Sequence, residues 1–330
     1  MPIPEQFIDE LVARSEISDV VSSYVHLTRK GNNLWGLCPF HNEKTPSFTV
    51  YPETQSFYCF GCGAGGDAIT FVRRMDNLDY MEAVKSLADR AGLALPQDGY
   101  DDTLMKQRRR MLEANREAAR YFHETLFTPE GAAALSYLQG RGLNAKIIRH
   151  FGLGCAPNRW DGLLRHMRQK GYSEAELVNA NLARRSDKNG RTSCYDNFRN
   201  RMMIPIIDLR GNVIAFGGRV LDDAKPKYVN TSDTLVYKKS QAIFALNFAK
   251  SANQGKLILA EGYMDVIAYH QAGFTNAVAC LGTALTREQA RLLARYADEV
   301  ILSYDADGAG QEATRRAIGI FNEIGMKLRV

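Results

Sequence analysis

No stretch of this chain approaches the ~18 to 20 consecutive apolar residues that span a bilayer, so no transmembrane helix is expected. Its start, Met1 to Phe7, has neither the basic end nor the apolar stretch of a signal peptide, and a cytoplasmic protein is expected. Internal repeats and low-complexity tracts are missing, and so is a phosphate-binding G-x-x-x-x-G-K-S/T loop. Cysteine is scarce and unevenly used: of six, Cys38, Cys59 and Cys62 cluster, while Cys155, Cys194 and Cys280 lie singly. That pattern argues against a disulfide framework and for a metal site. Glutamate is absent between Arg184 and Lys239, where 12 Lys or Arg face 6 Asp. The whole chain carries only +5, so its basic excess sits in this segment and a polyanionic partner is expected.

What is present divides the 330 residues into several folded parts. Residues 1–95 read as one small unit: an apolar-patterned helix with Phe7, Ile8, Leu11 and Val12, aromatic strands around the cysteines, then two helices. Asp67 is placed to cap the first of those helices and Gly92 to close the second. Residues 96–110 read as a linker, polar and turn-rich through Asp102, with Lys106 to Arg110 leading into a helix that runs to about Phe127. Residues 111–250 mix helices with strands such as Met202 to Ile207, an α+β pattern without a clean repeat. From 251 to 330 the alternation of strand and helix becomes regular, the signature of a parallel α/β unit. Thr286 to Gln289 has capping-box spacing, and Gly325 can end the helix that begins near Gln311.

Cys38-Pro-Phe-His41 and Cys59-Phe-Gly-Cys62 form C-x2-H, a gap of 17 residues, then C-x2-C. Two ligand pairs on tight turns, joined by an intervening hairpin, complete a tetrahedral zinc shell. Four protein ligands leave no open position, so the expected zinc is structural. Half of the surrounding aromatics, among them Trp35, Phe48, Tyr51, Phe57, Tyr58 and Phe60, must face outward if their strands alternate. Such rings suit stacking on single-stranded bases, or substitute for a core too small to form otherwise.

The apolar runs Lys256 to Ala260 and Val300 to Tyr304 each end at acids. Glu261, Asp305 and Asp307 would therefore gather at the carboxyl edge of one parallel sheet, where hard oxygen ligands suit magnesium. A calcium loop fails because Ala309 and Arg316 stand at ligand positions. A nucleotidyl-transfer site accounts better for these carboxylates, with a divalent ion neutralising triphosphate charge. Helix capping is the competing role for Glu261 and, more strongly, for Asp265.

Glu261-Gly-Tyr-Met-Asp265, Leu281 to Thr286 and Asp305-Ala-Asp-Gly-Ala-Gly310 resemble the Toprim domain shared by bacterial primases, topoisomerases and some nucleases. With the zinc motif upstream, the whole chain resembles the bacterial DnaG-type primases. The resemblance implies a zinc ribbon, a linker, a mixed α+β basic subdomain and a Toprim α/β subdomain. It implies a DNA-dependent RNA polymerase that makes short primers on single-stranded DNA from ribonucleoside triphosphates, with one structural zinc and catalytic magnesium or manganese. Glu261, Asp305 and Asp307 would be its acids. Arg199, Arg201, Lys227, Asn230 and Lys239, which lie in segments similar to the family's basic motifs, would hold template phosphates or the incoming triphosphate. The family also carries an Asp-x-Asp pair farther on and a helicase-docking domain, so a chain truncated within its Toprim unit is expected, as part of a primosome at the replication fork. A non-catalytic zinc and Toprim DNA-binding module and a Toprim nuclease are the alternatives. The other histidines are read as structural or surface residues.

Overall fold

The structure, a computed structural model, describes all residues except 1–2, 42, 77, 79, 96–101, 189–190, 223, 253–254 and 282–283, and all described side chains except those of residues 102, 188, 191 and 192. It divides into two compact units, Met1–Thr103 and Leu104–Val330. Among the described residues no helix is long and apolar enough to cross a membrane.

In the first unit the strand periodicity of two decides which aromatics enter the core. Phe57 and Cys59 point inward while Tyr58 between them is exposed. Strands Thr28–Lys30, Asn33–Gly36, Phe48–Tyr51, Ser56–Cys59 and Gly65–Gly66 form an antiparallel meander in chain order. Helices Glu5–Arg14 and Ile17–Ser22 precede it, and Ala68–Met75 and Tyr80–Ala91 follow. Phe71 from the third helix meets Phe40, Phe48 and Phe57 with ring centroids 5.5 to 6.1 Å apart. Asp67 caps that helix, its carboxylate accepting from the Thr70 amide at 2.7 Å, a contact worth about 1 kcal/mol. Gly92, at φ +65°, follows the end of the fourth helix in a conformation that costs glycine little.

Residues 96–101 of the expected linker lie outside the described residues, but 102–110 do not form a linker. They are the first turns of a helix, Asp102–Leu126. Their polarity reflects an exposed helical face, since Met111, Ala114, Ala118, Phe122 and Leu126 of the same helix are buried. Arg110 anchors those turns by pairing with Glu176 at 2.7 Å and lying over the Tyr172 ring at 4.1 Å. Downstream, strands Tyr228–Asn230, Val213–Val220, Arg201–Ile207 and Gly154–Ala156 pair in that order, all antiparallel. A hairpin of Ala183–Lys188 and Arg191–Asp196 stands apart from this sheet.

The last third of the second unit builds a five-stranded sheet in the order Ile243–Phe244, Ala277–Cys280, Lys256–Ala260, Glu299–Ser303 and Lys327–Arg329. Only its first strand is antiparallel. Helices Tyr263–Gln271, Arg287–Leu293 and Gly308–Glu323 connect the parallel strands. The Thr286 and Gln289 capping box forms in both directions, and Gly325 at φ +70° follows the final helix. One apolar core runs through both halves of this unit, from Leu126, Met202 and Ile204 to Val266, Ile267 and Ala277. The expected division near residue 250 therefore separates subdomains that share a core.

Candidate functional site

Zinc ligation is the better-formed of two candidate sites. Cys38, His41, Cys59 and Cys62 place one ligand atom each within 4.8 Å of one another, the only such cluster of His, Cys, Asp or Glu among the described residues. Cys38 Sγ and Cys62 Sγ are 3.8 Å apart. A disulfide requires ~2.05 Å, whereas Zn–S bonds of ~2.3 Å at a tetrahedral angle put two sulfurs about 3.8 Å apart. His41 Nδ1 lies 3.7 Å from Cys59 Sγ, again a tetrahedral edge. A hydrogen bond from Cys38 pushes the Cys62 thiol down to about 5 and Cys38 itself up, so one thiolate is favoured before any ion arrives. Gly61 is required here, because a Cβ would meet His41 Nε2 at 2.5 Å.

Outside this cluster the strands present Trp35 and Phe60 stacked at 6.2 Å, Tyr58 edge-on to Phe60 at 5.1 Å, and Lys30 Nζ 5.5 Å from the Trp35 ring. Phe60 is 62% exposed, while Phe48 and Phe57 fill the core. Phe48 and Phe57 thus take the core-filling role, while Tyr58 and Phe60 face outward.

The second site lies at the carboxyl edge of the parallel sheet. Pairing of Ala260 with Ser303 levels the two strand ends, so Glu261 and Asp305 emerge side by side. The Asp305 amide donates to Glu261 Oε2 at 3.1 Å. Partial burial, then repulsion from Asp305 and Asp307, holds the Glu261 carboxyl above the usual carboxylate range. Asp307 caps helix Gly308–Glu323, accepting from the Gly310 amide at 2.8 Å. The three acids share one sheet edge but do not converge on a single point as the zinc ligands do. Asp265 is a helix-capping residue, accepting from the Gly262 amide at 3.1 Å.

Tyr263 joins this edge to the antiparallel sheet. Its hydroxyl donates to Asn230 Oδ1 at 2.9 Å, and its ring lies against Gly217, where a Cβ would meet it at 2.7 Å. Gly217 and Gly218 sit inside strand Val213–Val220, and at Gly217 a side chain is excluded by the packed tyrosine. Burial pushes the Tyr263 hydroxyl well up, which suits it to donate to Asn230. Replacing Tyr263 with phenylalanine deletes one hydrogen bond of about 1 kcal/mol. Melting of the second unit should fall by about 2 to 4 °C, and an unchanged melting temperature would remove this bond from the account.

The five basic-segment residues fall in different surroundings. Asn230 adjoins the acid edge through Tyr263. The Arg201 guanidinium is engaged by the Gly218 and Pro226 carbonyls, both at 3.2 Å, and its side chain shapes the intervening loop. Lys227 is exposed. Lys239 is half-buried, its backbone held by Asp233 and Gln289. Arg199 lies over Trp160 at 4.3 Å and near Tyr195 at 5.1 Å. Trp160, 67% exposed, was not legible as a site residue, since a lone tryptophan carries no spacing signal. With Arg159, Arg165 and Tyr195 it lines a cavity of about 730 Å³.

Comparison with known proteins covers nearly the whole chain. Family models match as CHC2 zinc finger over residues 3–102, DNA primase catalytic core, N-terminal domain, over 121–250, and Toprim-like over 258–330. A DNA primase of Clostridium acetobutylicum is 46% identical over 332 residues, covering 99% of this chain and 54% of the relative. One from Deinococcus radiodurans is 48% identical over 315 residues, covering 94% and 53%. The chain thus spans about half the length of the curated relatives it matches. The solved zinc-binding and RNA polymerase domains of the Aquifex aeolicus primase are similar at 38% identity and a TM-score of 0.61, over 98% of this chain and 78% of that one. A DnaG primase catalytic domain bound to single-stranded DNA is similar at 37% identity and a TM-score of 0.60, over 65% and 67%.

Proposed function

Because this chain belongs to the bacterial DnaG-type DNA primases, we propose that it makes short RNA primers on single-stranded DNA at the replication fork. The observation that carries this reading is the joining of two surfaces in one core: a parallel-sheet edge bearing Glu261 and Asp305, and an antiparallel sheet from the basic segment, linked through Tyr263 and Asn230. Magnesium or manganese, held by Glu261, Asp305 and Asp307, would supply charge neutralisation for a ribonucleoside triphosphate and its leaving pyrophosphate. Repulsion among these acids already favours a cation beside them. Asn230, oriented by Tyr263, and the exposed Lys227 would position the triphosphate. Zinc in the first unit is structural, with its four donors all from protein. The replicative helicase is a partner proposed for the longer proteins of the family.

The test is incorporation of labelled ribonucleotides on single-stranded DNA with magnesium or manganese. The 330-residue chain should be compared with a chain of the relatives' full length. Primer-length RNA from the longer chain supports the proposal; DNA binding without synthesis would instead favour a binding module.

Template contact is assigned to Trp160 and Arg199. Base stacking on an aromatic ring is worth about 1 to 3 kcal/mol, so Trp160→Ala should weaken single-stranded DNA binding roughly 5- to 150-fold with the same salt dependence. Arg199→Ala should weaken binding and also flatten the slope of log affinity against log salt by about one charge. Fluorescence titrations at several salt concentrations separate the two effects, and equal slopes for both variants would count against a phosphate contact by Arg199.

A further inference from the structure

The four metal ligands do not stand alone. Glu43, two positions after His41, reaches behind them with a side chain that is 11% exposed. Its Oε1 accepts from the Cys38 amide at 2.7 Å and from the Ser47 amide at 3.0 Å. Its Oε2 accepts from the Ser47 hydroxyl and lies 3.3 Å from His41 Nε2. Ser47 Oγ is in turn 3.2 Å from Cys59 Sγ. One carboxylate thus contacts the backbone of one ligand, the ring of a second and, through Ser47, the sulfur of a third. The His41 ring turns Nδ1 to the cysteine cluster and Nε2 to Glu43. Gly61 leaves room for that arrangement, since a Cβ there would come within 3.0 Å of both His41 Nε2 and Ser47 Oγ.

We propose that Glu43 is the positioning residue of the zinc site, fixing His41 as an Nδ1 ligand by accepting the proton on Nε2. An imidazole whose second nitrogen donates to a carboxylate is held in one tautomer and one orientation, and its ligating nitrogen becomes more basic. Glu43 is not itself a ligand. It acts on the metal through His41, so its effect should depend on the second ring nitrogen.

The test uses the full chain loaded with zinc. Zinc release to a chromogenic chelator is timed for the parent, Glu43→Gln, His41→Cys and the double variant. Glutamine preserves size and the amide-facing oxygen but turns a donor toward His41. Loss of an outer carboxylate from a metal site costs about 10- to 100-fold in metal affinity, so release should quicken by that order in Glu43→Gln. In the His41→Cys background the thiolate still completes a tetrahedral shell but has no second nitrogen, and Glu43→Gln should change release less than about twofold. Equal acceleration in both backgrounds, including the case in which Glu43→Gln simply loosens the Cys38 and Ser47 backbone, overturns the proposal. So does a Glu43→Gln protein that releases zinc at the parent rate. Cobalt substitution gives an independent readout: the visible absorption of the Cys3His site should shift in Glu43→Gln, and an identical spectrum contradicts the proposal.

Discussion

Cys59→Ser is expected to abolish zinc binding and unfold the first unit while leaving the second intact. Cys59 is fully buried, and its sulfur faces both His41 and Ser47. A serine oxygen there is a poorer zinc ligand than thiolate, and three donors do not close a structural site. Magnitudes decide the outcome. Structural zinc contributes roughly 10 to 16 kcal/mol in small zinc modules, as much as or more than the roughly 5 to 15 kcal/mol that holds an average domain together. The core of this unit, centred on Phe48, Phe57 and Phe71, adjoins the cluster through Cys38 and Cys59, so loss of the ion and loss of packing are coupled. Metal analysis should fall from one zinc per chain to none, and limited proteolysis should cut within residues 3–95 while the second unit keeps its melting transition. A variant that retains zinc, or a parent that is folded without it, would refute the structural assignment.

Glu261→Gln and Asp305→Asn should each lower primer synthesis by the longer chain by at least on the order of 10²-fold. Weakening the hold on a divalent ion that would neutralise a reacting triphosphate costs about 3 kcal/mol or more of transition-state stabilisation, at ~1.4 kcal/mol per tenfold. Stability should move the other way for Glu261. Its carboxyl is raised by partial burial and by the neighbouring aspartates, so the folded protein binds that proton more readily than the unfolded chain. The ionised form therefore costs stability above the folded-state pKa, and the cost disappears on acidification below the unfolded value of about 4.3. Without added divalent ions, Glu261→Gln should melt at or above the parent temperature near pH 7, and the difference should shrink toward pH 4. Activity and melting curves of the same preparations check both halves. Full activity would remove Glu261 from the reaction, and a lower melting temperature would show that its main role is structural.

The C-x2-H and C-x2-C spacing, the acids closing two apolar runs and the capping box at Thr286 were all readable in sequence. Each is a local pattern set by the two-residue period of strands, the turn of a helix or the bite of a metal pair. The first turns of helix Asp102–Leu126 fell within the expected linker for a related reason: they are polar, and the residues that anchor them, Tyr172 and Glu176, come more than 60 positions later.

By itself, the sequence determined the grouping of Cys38, His41, Cys59 and Cys62, the order of the folded parts and the placing of Glu261 and Asp305 at strand ends. Only the tertiary structure decided that Tyr263 holds Asn230, that Trp160 shelters Arg199, that Arg201 closes a loop and that Glu43 backs His41. Most of these contacts join residues far apart in the chain, and Glu43, close to His41 in sequence, also reaches Cys38 and Ser47. The physical reason is common to all. A side chain's role depends on which hydrogen-bond partners and rings remain within reach after burial, and packing settles that geometry without leaving a repeat or spacing along the chain.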